Sequence, residues 1–263
     1  MCIRDRYYTN AFGQIIGWER ESMDSMTPKP LTMAQASVAL VGDNAIFGFV
    51  SPIRGGRYRF SIEQTQGTAS FTTVIADWRR YFAPTKNLTV GLRTVHYGRY
   101  GLTPEESSSD GFGMLRPLFL GYETFIRGYS YQSFSASECS PPGSNSSGGT
   151  CMAFNRLQGQ QLAVANFEFR IPLIGVEQYG LINFQFVPVE LVAFADAGLA
   201  WDSDNPPVLA FSRSGYERVP VFSTGVSARF NVLGFLIVEA YYAYPWQRPQ
   251  KSWHWGFNIA PGW

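Results

Sequence analysis

Few residues in this chain are of a type that does covalent chemistry. His96 and His254 are the only histidines, and neither stands in a sequence setting with a nucleophile and an acid. Each reads as a lumen or interface residue at or within a strand, not as a base. Of three cysteines, Cys139 and Cys151 sit with eleven residues between them in a Ser/Gly/Pro-rich stretch that cannot build a core. Their spacing allows a disulfide that would stabilise the loop by about 3 kcal/mol through lost chain entropy, and that pairing implies an oxidising compartment. Two unrelated thiols are the alternative. Cys2 has no assigned role. No His or Cys partners complete a metal-ligand spacing, and no Gly-rich phosphate loop precedes a helix. The sequence therefore implies no catalytic residue, no metal and no cofactor.

The charges carry more. Arg127 is followed by Gly128, which lets the backbone turn sharply. Glu168 and Asp196 stand in two alternating segments, and parity puts both on the polar face. A buried guanidinium needs carboxylate acceptors and suits bidentate pairing. These three residues are expected to pin a loop to a wall. The competing reading is a solvated loop arginine above acids that merely line a wet pore. Asp77 and Arg79 share parity, with Arg80 opposite, and read as lining of the same polar face.

Strands must position these charges. The dominant pattern is period-two alternation. Residues 161–171 set Ala163, Ala165, Phe167, Phe169 and Ile171 against Asn166, Glu168 and Arg170. Residues 187–201 set Leu191, Ala193, Ala195 and Ala197 against Glu190, Phe194, Asp196 and Gly198. Residues 57–63, 87–93, 222–232, 235–244 and the last segment from Trp253 alternate likewise, and weaker strands fit 7–19, 36–50 and 69–82. That makes about ten strands of roughly the length that crosses a bilayer when tilted. A short turn at 231–234 and longer connections at 100–117 and 202–220 suit an antiparallel barrel.

Composition agrees. The chain is 45% hydrophobic, 16% aromatic and only 16% charged, against about a quarter charged in soluble domains. No window of about 18 apolar residues could form a spanning helix. A net charge of +1 gives no reason for a nucleic-acid partner. The first six residues contain no apolar signal-peptide core, so a missing N-terminal part is expected. Tyr242, Tyr244, Trp246 and Trp253 gather at one end of the final hairpin, where Tyr and Trp meet lipid headgroups. The fold class expected is all-β, a transmembrane antiparallel barrel; a soluble β-sandwich is the rival.

Three short motifs in order resemble the bacterial surface antigen superfamily of β-barrel assembly insertases and two-partner-secretion transporters. They are the tetrad Ile126, Arg127, Gly128 and Tyr129, then Glu168, then the strand motif from Phe194 through Asp196 to Gly198. The resemblance runs from near residue 36 to the end, with 1–35 an N-terminal segment holding a partial strand. It implies a sixteen-stranded barrel of which this chain supplies the C-terminal part, with a lumen loop near 101–158. It also implies outer-membrane location, lipid contact, and work on unfolded outer-membrane or secreted client proteins at the seam between first and last strands. A passive pore or surface receptor is the alternative function, and an outer-membrane hydrolase is less favoured. The end of the chain fits a C-terminal targeting strand through Gly256, Phe257, Ile259 and the terminal Trp263, although Pro261 interrupts it.

Overall fold

A computed structural model describes residues 3–9, 15–22, 32–102, 115–135, 138, 151–175, 180–184, 186–212, 217–248 and 251–259. The strands are β1 (Ile3–Thr9), β2 (Ile15–Ser22), β3 (Met33–Asp43), β4 (Ile46–Phe47), β5 (Pro52–Gly67), β6 (Phe71–Thr85), β7 (Leu88–Tyr100) and β8 (Leu118–Phe119). After a short helix α1 (Met152–Asn155) come β9 (Gln158–Gly159), β10 (Gln161–Gly175), β11 (Ile182–Asn183), β12 (Val189–Trp201), β13 (Val221–Val232), β14 (Leu236–Pro245) and β15 (His254–Ile259). Nine of these form one antiparallel wall in the order β3, β5, β6, β7, β10, β12, β13, β14, β15. Among the described residues the wall is open, with β3 and β15 at its edges. The weak alternation at 7–19 resolves into a hairpin, β1 on β2, because residues 10–14 lie between two paired runs. The strand placed at 36–50 begins earlier, at Met33, and ends at Asp43.

Burial along the strands is the reverse of a soluble protein's. On β10, Asn166, Glu168 and Arg170 are buried while Phe169 and Ile171 are 44% and 40% exposed. On β12, Glu190, Phe194 and Asp196 are buried and Leu191 is exposed. The charged face turns inward and the apolar face outward. In water each large apolar side chain left outside would forgo about 1.5–3 kcal/mol of burial; in a bilayer the same surface is already out of water. That inversion overturns the β-sandwich reading. Tyr242, Tyr244, Trp246, Trp253 and Trp255 stack in one cluster on the outer face, with ring centroids 4.8–5.6 Å apart.

Connections at one end are mostly tight. At β13–β14, Leu233 (φ 53°) and Gly234 (φ 78°) both take left-handed backbone, the geometry of a type I′ hairpin, and Asn231 Oδ1 accepts from the Gly234 N–H at 2.8 Å. The β10–β12 connection at that end is longer. Pro172 lacks an N–H, and the ladder shifts register just after it. Beyond Arg170 the β7 side of β10 is vacated, and β11 fills it in parallel, Ile174 opposite Ile182.

The opposite end carries the long connection between β7 and β10. It folds inward against the wall. Its base is closed by β8 on β9 and by the Leu120 N–H donating to the Leu157 carbonyl at 2.8 Å. Leu120, Ile126, Tyr129 and Leu157 then pack on Val95, Leu162, Val164, Ala200 and Val221 of the inner face. The inner wall is thus apolar near the loop end and charged farther down, where a uniformly polar face was expected. Residues 103–114, 136–137 and 139–150 of the connection lie outside the described residues.

Candidate functional site: the arginine of the lumen loop

Register, not sequence distance, assembles the charged layer. Asn166 on β10 stands opposite Asp196 on β12, which stands opposite Ser223 on β13. Three inward positions farther down, Glu190 on β12 opposes Arg229 on β13, and Arg229 opposes Glu239 on β14. Strand alternation aims all of them inward.

Arg127 enters this layer from the loop with 2% of its side chain exposed. Its Nε donates to Asp196 Oδ2 at 2.8 Å and its Nη2 to Asp196 Oδ1 at 2.8 Å, a bidentate fork. The Arg127 backbone N–H donates to the same carboxylate at 3.2 Å. Nη1 lies 2.9 Å from Glu168 Oε1 and 3.0 Å from Glu239 Oε1. The guanidinium carbon sits 3.6 Å from the centre of the Phe194 ring. Asn166 Nδ2 bridges Asp196 Oδ1, at 2.9 Å, to the Phe125 carbonyl, at 2.7 Å. The loop cation therefore meets carboxylates from β10, β12 and β14 and the face of an aromatic ring.

The acids are shared with the wall's own arginines. Glu168 accepts from Arg170 Nε at 2.8 Å and from Arg229 at 2.7 and 3.0 Å. Glu239 accepts from the Ser227 hydroxyl at 2.6 Å and lies 3.2 Å from Arg229 Nη2. Glu190 is held by Ser51, whose Oγ is 2.7 and 2.9 Å from its two oxygens. The layer holds Arg127, Arg170 and Arg229 against Asp196, Glu168, Glu239 and Glu190, one carboxylate more than guanidinium. Without Arg127 the excess of buried negative charge doubles.

Shape fixes the rest of the tetrad. Gly128 has φ +92°, a conformation that L side chains rarely adopt. A Cβ there would also meet Ser223 Oγ at 3.3 Å and Ala243 Cβ at 3.4 Å. Tyr129, 1% exposed, has its hydroxyl 3.0 Å from the Phe222 carbonyl and accepts from the Gln247 N–H at 3.1 Å. Gly198 gives Ile126 its seat: a Cβ on Gly198 would run into Ile126 Cδ1 and Leu120. Gly198→Val is expected to lift the loop from the wall at a cost of about 1–3 kcal/mol, the usual penalty of overpacking. The lowered midpoint of loop release in a urea series of protease digestion checks it.

Of the residues singled out from the sequence, Ile126, Arg127, Gly128, Tyr129, Glu168, Phe194, Asp196 and Gly198 meet in this one place. Asp77 and Arg79 do pair, at 2.7 Å, and Arg93 joins them and reaches the Thr124 carbonyl at 2.7 Å. Arg80 points away, toward Phe82. His96 stacks on Trp201 at the outer face; His254 Cε1 lies 3.4 Å from where a Gly128 Cβ would stand. Cys151 is disulfide-bonded, while Cys139 lies outside the described residues. Gly256, Phe257 and Ile259 belong to β15; Pro261 and Trp263 lie outside the described residues. Arg170, Arg229, Glu190 and Glu239 were not assigned to the site. Their shared inward parity was visible, but the cross-strand register that joins them was not.

An inward-charged, outward-apolar antiparallel wall with a loop docked on its inner face defines an integral outer-membrane β-barrel protein. A family model described as the Omp85 superfamily domain matches residues 5–262, so the chain belongs to that superfamily. Among solved structures, a similar one is the crystal structure of BamA from Haemophilus ducreyi lacking POTRA domains 1-3, at 14% identity and a TM-score of 0.55. The match covers 97% of this chain and 46% of that one, so the chain spans about half of its length. No curated protein matches.

Proposed function

We propose that this chain, with the strands that close its wall, forms an outer-membrane barrel acting in protein assembly or translocation, its lumen loop pinned by Arg127. The observation that supports this most is the fully buried guanidinium shared among carboxylates of three separate strands. A loop held by ion pairs suits a machine with two arrangements better than a static plug, because a buried ion pair adds little net stability over an apolar contact and its charges can take other partners. The work on this reading is conformational, not catalytic. Clients are unfolded outer-membrane or exported chains handled at the strand seam or through the lumen, in contact with outer-membrane lipid.

Depletion of the full-length protein tests this. Loss of folded outer-membrane proteins or of secreted proteins is expected, with failed complementation by Arg127→Ala. Steady ion conductance with no client defect on depletion would instead identify a passive pore.

A further inference from the structure

The lumen loop is gripped from a second side, with the polarity reversed. Arg248 lies in the connection between β14 and β15 and is 1% exposed. Its Nη1 donates to the Gly128 carbonyl at 2.8 Å and to Ser133 Oγ at 2.7 Å. Its Nη2 donates to the Ser133 carbonyl at 2.8 Å and to Glu138 Oε1 at 2.9 Å, and its Nε to Glu138 Oε2 at 2.8 Å. The Phe134 ring lies beneath it, 3.9 Å from centroid to guanidinium carbon. Burial pushes the Glu138 carboxyl up, but the hydrogen bonds and charge of Arg248 hold it below its ordinary range. Next to it, Gln247 donates its backbone N–H to the Tyr129 hydroxyl. Here the barrel supplies the cation and the loop supplies the acceptors. The tetrad is thereby held at Arg127 from below and at Gly128 and Tyr129 from the hairpin.

We propose that Arg248 is a second positioning residue for the lumen loop, and that through it the loop and the edge strand β15 move as one unit. The proposal rests on the docked-loop reading above. Among the described residues β15 is held to β14 over six positions, from His254 opposite Ala243 to Ile259 opposite Val238. Its far edge has no partner among the described residues. A pairing of six residues, against the ten that join β13 to β14, opens locally at lower cost. The segment that leads into it is anchored by a buried, five-bonded guanidinium, so the loop limits how far β15 can swing. Release of the loop would then free the edge strand, and displacement of the edge strand would loosen the loop.

The test uses the full-length protein in its outer membrane. Arg248→Glu and Glu138→Arg are compared with the Arg248→Glu/Glu138→Arg swap, and Glu138→Gln serves should either reversal fail to accumulate. Two readouts are taken: cleavage of the loop by external protease, and amide exchange across 254–259. Each single change is expected to raise both by roughly tenfold, as a buried charge left without its partner favours local opening, and the swap is expected to bring both back. Faster loop cleavage with unchanged exchange in β15 overturns the coupling. A swap as defective as the single variants overturns the Arg248–Glu138 latch. Should Arg127→Glu leave the loop protected, the Arg127 reading fails by itself, since the Arg248 and Glu138 variants and their swap test the latch with Arg127 intact.

Discussion

Arg127→Glu is expected to expel the lumen loop. The new carboxylate would sit among Asp196, Glu168 and Glu239, all within 3.0 Å of the present guanidinium. Breaking a buried pair by removing one partner costs about 3–5 kcal/mol, and reversal adds repulsion. The loop is anchored by one apolar patch and two charged grips, so a loss of that size exceeds what Ile126 and Leu120 can restore. External protease should then cut the loop in intact cells. Asp196→Arg placed in the same background should recover part of the protection, because Asp196 provides the bidentate partner. Undiminished protection of the loop in the single variant would show that Arg127 is not the pin.

Glu168→Leu is expected to do more damage than any loss confined to the loop. Glu168 meets Arg170, Arg229 and Arg127, so its removal leaves three guanidiniums crowded without their common acceptor. Glu239 still faces Arg229 and Arg127, while Arg170 loses this carboxylate and keeps neutral neighbours such as the Pro52 carbonyl, at 3.2 Å, and the Tyr81 ring, 5.4 Å away. A cost of about 3–5 kcal/mol is a large share of the 5–15 kcal/mol typical of whole domains. The wall itself should therefore fail to assemble, seen as loss of the compact, heat-modifiable band on unheated gels. Asp196→Ala should by contrast keep that band and lose loop protection. Equal band intensity for Glu168→Leu and wild type would sink the view that this acid joins the strands.

Alternation alone made much of this legible. Glu168 and Asp196 could be placed on one face, and Phe169 and Leu191 on the other, because side chains on a strand point to opposite sides at every step. The Arg-Gly step marked a loop able to turn, and the outward aromatic cluster marked a membrane interface. What lay beyond the sequence was anything set by pairing between distant strands. Register decided that Arg229 lies between Glu190 and Glu239, and packing across strands made Glu168 a crossing point for three arginines, not a lone lumen acid. The register shift after Pro172 and the split of 7–19 into a hairpin depended on backbone partners that no periodicity encodes. Arg248 was invisible for the same reason: nothing in its neighbours in sequence indicates that it meets Glu138, 110 residues away. The sequence determined which face each side chain takes, since that is a local property of an extended backbone. The tertiary structure alone decided which charges meet, since that requires the strands to be laid side by side and the loop to be folded between them.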